Sequence, residues 1–227
     1  MEKKIYSVAV DGPSGAGKST LAKAAAARLG IVYVDTGAIY RTIGYYVYCQ
    51  GIDPKDGSAV IAILPQLEIQ MCYGEDGTQR MILNGEDVST QIRLPEMSMY
   101  ASAVSAIPEV RAFLLEMQRD MARRTGVIMD GRDIGTVVLP DADVKIFLTA
   151  AAETRAMRRM KELEQRGTPQ PFEEVLQQIR ERDWADSNRA AAPLRQAEDA
   201  VLLDTGAMDF DESLEALLNI IREKVSV

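Results

Sequence analysis

Histidine is absent from the 227 residues. That absence removes Ser-His-Asp and Cys-His nucleophile systems, histidine general bases and His-containing zinc sites. Cysteine is nearly absent as well. Cys49 and Cys72 stand 23 residues apart, too few and too far separated for a zinc site or a disulfide scaffold. Two free, half-buried thiols in a reducing compartment are the expectation. A basic excess is also missing: 34 acidic against 26 basic residues leave a net charge of −8. Nothing is then left over to neutralise a phosphate backbone, so a nucleic-acid partner is not expected. No apolar run approaches the roughly 18 residues of a membrane span, and the apolar stretch behind Met1–Lys4 soon meets Asp11 and Gly12. A cytoplasmic protein without membrane contact is the default.

What remains is an ordinary globular composition, 47% hydrophobic and 26% charged. Its length suits one large domain over residues 1–227, or a domain with an insertion. Five short apolar runs each end at a polar residue or a turn: Ile5–Val10, Ile31–Val34, Val127–Met129, Val144–Leu148 and Ala200–Leu203. Such runs, separated by helical stretches, predict a parallel sheet buried on both faces. Ser19–Leu29 reads as a helix stopped by Gly30, and Ile107–Arg124, Ala152–Arg166, Phe172–Arg189 and Asp211–Val225 also carry helical spacing. The fold class is therefore α/β. From Leu67 to Arg93 the pattern alternates around Glu75-Asp76-Gly77 and Asn84-Gly85, which predicts a small antiparallel meander inserted between the second and third parallel strands.

Gly12-Pro13-Ser14-Gly15-Ala16-Gly17-Lys18-Ser19 matches the phosphate-loop pattern in full, with a strand before it and a helix behind. A triphosphate crowds negative oxygens together, and a glycine-rich backbone can wrap them with N–H donors. The helix that begins near Lys18 points its positive end at the same charge. Lys18 is expected to reach the β- and γ-phosphates and Ser19 to hold Mg²⁺.

Three further clusters bear on what receives the phosphate. Asp35-Thr36-Gly37-Ala38-Ile39-Tyr40-Arg41 follows the second strand and suits a second anion site, although a helix N-cap at Thr36 with a solvated Arg41 fits as well. Asp130-Gly131-Arg132-Asp133-Ile134-Gly135 follows the third strand and puts Asp130 where an acidic residue binds Mg²⁺ through water. Finally, eight of the eighteen arginines fall within the 41 residues Arg155–Arg195: Arg155, Arg158, Arg159, Arg166, Arg180, Arg182, Arg189 and Arg195. Phosphoryl transfer leaves a protein mainly charge to stabilise, so guanidinium groups are the expected tool. Pairing with Glu153, Glu162, Glu164, Glu181 and Asp183 accounts for part of that density.

Together these clusters describe a kinase acting on a small phosphorylated acceptor. Gly12–Ser19, Asp35–Arg41, Asp130–Gly135, and Glu181-Arg182-Asp183 with Asp186 and Arg189 resemble the bacterial cytidylate kinases over about Val8 to Asp204. The resemblance implies a P-loop kinase core with a five-stranded parallel sheet flanked by helices, a small β insertion at 67–93 and a short helical, arginine-rich lid at 155–189. It implies a monomer that transfers the γ-phosphoryl of ATP to CMP or dCMP with Mg²⁺, which Ser19 would hold directly and Asp130 through water. Residue by residue it implies that ATP meets Gly12–Ser19, Thr20 and Arg158. It gives the acceptor phosphate to Thr36, Arg41, Arg132 and Arg189, and puts Arg182 near the phosphates. The cytosine edge falls to Ser102, Arg111 and Asp133, and the ribose to Asp186. Catalysis would rest on Lys18, Arg132, Arg182 and Arg189. An acidic acceptor at 133 makes chemical sense, because cytosine carries an amino donor where uracil has a carbonyl.

Two departures from the family pattern are mild. Ser19 keeps a hydroxyl where many relatives have glycine, and Trp184 is expected to be a packing residue of the lid, with base stacking the alternative. Two rivals stay open: the same architecture acting on AMP, UMP or a non-nucleotide alcohol, and an ATP-dependent switch.

Overall fold

The computed structural model describes residues 5–225 apart from Asp76 and Arg166. Among these the strands are β1 (Ser7–Asp11), β2 (Val32–Asp35), β3 (Ile69–Tyr73), β4 (Gln79–Leu83), β5 (Glu86–Asp87), β6 (Val127–Gly131), β7 (Val144–Thr149) and β8 (Val201–Asp204). The helices are α1 (Lys18–Leu29), α2 (Thr36–Cys49), α3 (Gly57–Ile63), α4 (Met97–Val104), α5 (Pro108–Arg124), α6 (Ala152–Gln165), α7 (Phe172–Asn188) and α8 (Phe210–Val225). The chain divides into two compact units, Met1–Tyr33 with Arg124–Val227, and Val34–Arg123.

A five-stranded parallel sheet in the order β2-β6-β1-β7-β8 organises the first unit. Its central strand β1 is buried from Val8 to Asp11, and β6 is buried at every position, as the unbroken apolar runs require. The register sets Val10 beside Asp130 and Ile146, and Asp11 beside Gly131 and Phe147. The carboxyl ends of β1, β6 and β7 therefore lie level, which is where open α/β sheets bind ligands. The sequence places all five strands and misses their ends by one or two residues.

Helix α1 begins after Gly17 (φ 92°) and ends at Gly30 (φ 63°), whose N–H bonds to the Ala26 carbonyl. Its Ala22, Ala25 and Ala26 are buried, and their small side chains let the helix lie close to the sheet. Leu214, Leu217, Leu218, Ile221 and Val225 of α8 make a helical stripe in the same core, with Val8, Val10, Ile146 and Leu148. Each such side chain stabilises by about 1.5–3 kcal/mol through burial. Helices α6 and α7 pair over a smaller cluster of their own: Ala156, Leu163, Val175, Leu176 and Ile179.

In the second unit α2 packs on α4 so closely that a Cβ on Gly44 would stand 2.9 Å from Tyr100 Cβ and 3.1 Å from the Ala101 nitrogen. The antiparallel sheet β3-β4-β5 pairs Ile69 with Leu83 and Met71 with Met81. Its second turn is Asn84-Gly85 with φ of 50° and 85°, the left-handed pair a two-residue hairpin needs. The meander is shorter than Leu67–Arg93 suggests: its strands end at Asp87, and Gln91–Arg93 form a 3₁₀ turn. The other turn contains Asp76, which lies outside the described residues.

Candidate active site

The first unit carries most of the residues singled out in the sequence. Gly12 (φ 146°) could not bear a side chain, because a Cβ there would overlap the Leu148 carbonyl. Lys18 is buried, and its Nζ donates to the Pro13 carbonyl at 2.7 Å. Burial, then the nearby Arg132 charge, pulls its ammonium down to about 7, against the attraction of Asp130 and Asp11. A group so placed stands ready for an anion to restore its charge.

Ser19 Oγ donates to Asp130 Oδ2 at 2.8 Å, and Tyr33 Oη donates to Asp130 Oδ1 at 2.9 Å. Among the described residues no cluster of three His, Cys, Asp or Glu could hold a metal. One hydroxyl beside one carboxylate is nevertheless a hard-oxygen pair of the kind that takes Mg²⁺ together with substrate phosphates and water. The residues present fit that ion.

Behind β6 the Gly131–Gly135 segment is tied on every side. Arg132 Nε donates to Asp186 Oδ2 at 2.7 Å, and Arg189 Nη2 to Asp133 Oδ1 at 3.3 Å. Asp133 is only 4% exposed, so its carboxylate does not stand in solvent. For Asp186, burial works to raise the carboxyl, but Arg132, Arg182 and Arg189 outweigh it and hold it below the usual carboxylate range. The Arg182 charge also bears on Lys18, lowering it slightly further. Asp11, which the sequence reading passed over, accepts from the Ile134 and Gly135 N–H groups, each at 2.7 Å. Burial pushes its carboxyl up to about 6 although those two bonds oppose the shift.

The arginine-rich stretch splits by function. Arg158 donates to the Ala16 carbonyl at 3.4 Å and to the Thr205 carbonyl at 2.7 Å, fixing the phosphate loop to the strand end after β8. Arg155 bonds the Ser14 carbonyl and Asp183. Arg159 pairs with Glu162 and Arg180 with Glu153 on the surface, as expected of a solvated helix face. Arg166 lies outside the described residues. Trp184 is 70% exposed, so it packs against little, contrary to the expectation of a packing residue. Its neighbours one turn away on α7 are Arg180, Glu181, Ser187 and Asn188, so the helix offers it no apolar side chain to cover. Both cysteines are free and exposed rather than half-buried, because each sits on the outer face of its element.

The second unit holds Thr36, Arg41, Ser102 and Arg111. Asp35, not Thr36, caps α2: its Oδ1 accepts from the Ala38 N–H at 2.9 Å, while Oδ2 accepts from Arg41 at 2.7 Å. Arg41 is therefore paired rather than solvated, and its Nε is buried with no partner among the described residues. Thr36 is buried at the start of α2. Arg111 lies 5.4 Å over the Tyr40 ring and donates to the Ser105 carbonyl, and Ser105 Oγ in turn donates to the Ser102 carbonyl. Residues 36, 41, 102 and 111, which look unrelated along the chain, are thus joined through α2, α4 and α5. Asp35 was legible as an Asx cap, and Asp11 as the acidic residue ahead of Gly12; nothing local marks Tyr33 or Gln79.

Known proteins resemble this chain over nearly its whole length. A cytidylate kinase of Caldicellulosiruptor bescii is 49% identical over 223 residues, covering 98% of both chains. One from Lactiplantibacillus plantarum is 46% identical over 226 residues, covering 100% of this chain and 99% of its own. Among solved structures, an uncharacterised protein of Eubacterium ventriosum superposes with a TM-score of 0.55 at 14% identity over 97% of this chain and 99% of its own, a likeness of fold alone. The family model for cytidylate kinase matches residues 8–223, and the chain belongs to that family.

Proposed function

We propose that this chain transfers the γ-phosphoryl group of ATP in line to CMP or dCMP, giving ADP and CDP or dCDP. The observation that carries the reading is a complete phosphate loop in the same unit as a buried acidic residue, Asp133, held by Arg189. Lys18 would exchange the Pro13 carbonyl for β- and γ-phosphate oxygens and recover its full charge there. Arg132 and Arg189 are held in place by Asp186 and Asp133 before any substrate arrives, so little ordering is needed when an acceptor phosphate binds. Thr36 and Arg41 would join them on that phosphate, and Arg182 would meet charge that develops during transfer. Asp133 would accept from the cytosine amino group, Ser102 and Arg111 would donate to the ring, and Asp186 would take the ribose hydroxyls. Mg²⁺, when bound, would neutralise the phosphate oxygens. Ser19 and Asp130 would hold it, with Tyr33 orienting the carboxylate.

The reading also takes residues 1–227 as one monomeric, cytoplasmic kinase domain, with 67–93 as an insertion and 155–189 as a lid. The separate small core of α6 and α7 supports a lid that moves as a piece. No described helix is long and apolar enough to cross a membrane.

The test is ADP formation from ATP and Mg²⁺ with each nucleoside monophosphate in turn and a control without acceptor. Strong activity with CMP and dCMP, and little with AMP, GMP or UMP, is the expected result. Equal ADP release with and without acceptor would make the protein an ATPase and end the kinase reading.

A further inference from the structure

We propose that Asp11 is a positioning residue for the acceptor's base, holding the Asp133 loop in register with the phosphate loop. The inference rests on the assignment of Asp133 to the cytosine edge. Asp11 is the last residue of β1, directly before Gly12, and is 4% exposed. Its two carboxylate oxygens accept separately from Ile134 and Gly135, Oδ1 from one and Oδ2 from the other, both at 2.7 Å.

Those two N–H groups open the single π-helical turn Ile134–Val138. The first N–H groups of any helical turn have no partner within it, and here one carboxylate satisfies two of them. Asp133 precedes that turn with φ −147° and ψ 25°, and its carbonyl accepts from Val137 and Val138. With the backbone on both sides of its Cα fixed in this way, the Asp133 side chain has little freedom but its own rotamer. An amide at 11 would keep one oxygen in place and set an NH2 group against the other backbone donor.

The arrangement also explains how a buried carboxylate is tolerated with no ion pair among the described residues. Two charge-assisted bonds offset much of the desolvation, and the positive ends of the turn's peptides face it. Gly135 completes the fit, since a Cβ there would stand 3.3 Å from Asp11 Oδ2 and 3.2 Å from Lys145 Cδ.

The experiment measures kcat, KM for CMP, KM for ATP and the CMP-over-UMP ratio of kcat/KM for the full chain and for Asp11→Asn. Loss of one charge-assisted bond is expected to raise KM for CMP about tenfold and lower the CMP-over-UMP ratio about fivefold, with KM for ATP within about twofold. Gly135→Ala disturbs the same contact from the loop side, leaves β1 and the phosphate loop untouched, and is expected to give the same split. It decides the question if Asp11→Asn does not fold. Equal rises in both KM values with an unchanged CMP-over-UMP ratio, or no change at all, would overturn the proposal. A wild-type enzyme that does not prefer CMP to UMP would instead overturn the role of Asp133, and the split between the two KM values would still decide that of Asp11.

Discussion

The Arg155 guanidinium meets the Asp183 carboxylate end-on, with Nη1 to Oδ1 at 3.0 Å and Nη2 to Oδ2 at 2.6 Å, and so joins α6 to α7. The same group donates to the Ala150 and Ser14 carbonyls, each at 2.9 Å. Four of its five N–H groups are thereby used within the protein, which makes Arg155 a brace for the phosphate loop. Asp183→Asn keeps the shape and removes the charge. It is expected to destabilise the chain by about 2–3 kcal/mol, toward the low end for a buried pair because the Asp183 side chain is 25% exposed. Urea unfolding measures this, and an unchanged midpoint would mean that the pair contributes no net stability.

Lys18 carries a cost in the ligand-free protein. Its ammonium is lowered from 10.5 to about 7, so below pH 7 the folded state is penalised for holding a charge that water would solvate better. The unfolded chain keeps its proton up to about 10.5, so the penalty is complete below pH 7 and fades as pH rises to that value. Lys18→Met should therefore stabilise the ligand-free protein by about 1–3 kcal/mol at pH 6 and by much less at pH 10. The same variant should lose about a hundredfold or more in turnover while binding CMP nearly as well. Thermal melts at the two pH values and CMP calorimetry separate these effects. A comparable loss of CMP binding would remove Lys18 from its assigned role.

Asp133 is expected to govern which base is accepted and not how ATP is used. Asp133→Ala removes the only acceptor proposed for the cytosine amino group, and sites built around such a bond discriminate strongly. The CMP-over-UMP ratio of kcat/KM should fall about tenfold or more, with KM for ATP nearly unchanged. Arg189 keeps its bond to the Ala192 carbonyl in that variant, so its side chain is not set adrift. An unchanged preference would take Asp133 out of base reading.

Those residues were legible because their signals are local. The phosphate loop declares itself by glycine spacing, and each parallel strand by an apolar run ending in a polar residue such as Asp11, Asp35 or Asp204. What the spacing did not announce is helical structure with atypical composition. Helix α2 holds four tyrosines, two threonines and two glycines in 14 residues, and its stability comes from the Asp35 cap and packing on α4 rather than from propensity. The contacts of Asp11 and Tyr33 join residues 123 and 97 positions apart, and no local pattern encodes them. Arginines that crowd together along the chain divide in space, in part by the pairing with acidic neighbours that the sequence suggests: Arg155 and Arg158 bond the phosphate loop, while Arg159 and Arg180 pair with glutamates at the surface.

Gln79 is the clearest contact of that hidden kind. It stands at the start of β4, yet its Oε1 accepts from the Asp35 N–H at 2.8 Å and its Nε2 donates to the Asp35 carbonyl at 3.2 Å. One side-chain amide thus reproduces a strand's pairing with the end of β2, just where Asp35 turns to cap α2 and hold Arg41. The small sheet therefore fixes the backbone from which the arginine is aimed. Gln79→Leu keeps the bulk and leaves both Asp35 backbone groups without this partner, at a cost of about 1–3 kcal/mol. Since Arg41 is assigned to the acceptor phosphate, KM for CMP should rise about three- to tenfold with kcat nearly unchanged and KM for ATP unaffected. Gln79→Glu retains the oxygen for the Asp35 N–H but turns the donor into a second acceptor facing a carbonyl, so it should behave like the leucine variant despite its closer chemistry. If glutamate restored wild-type KM for CMP, the bond to the Asp35 carbonyl would be dispensable and the N–H bond alone would hold the turn.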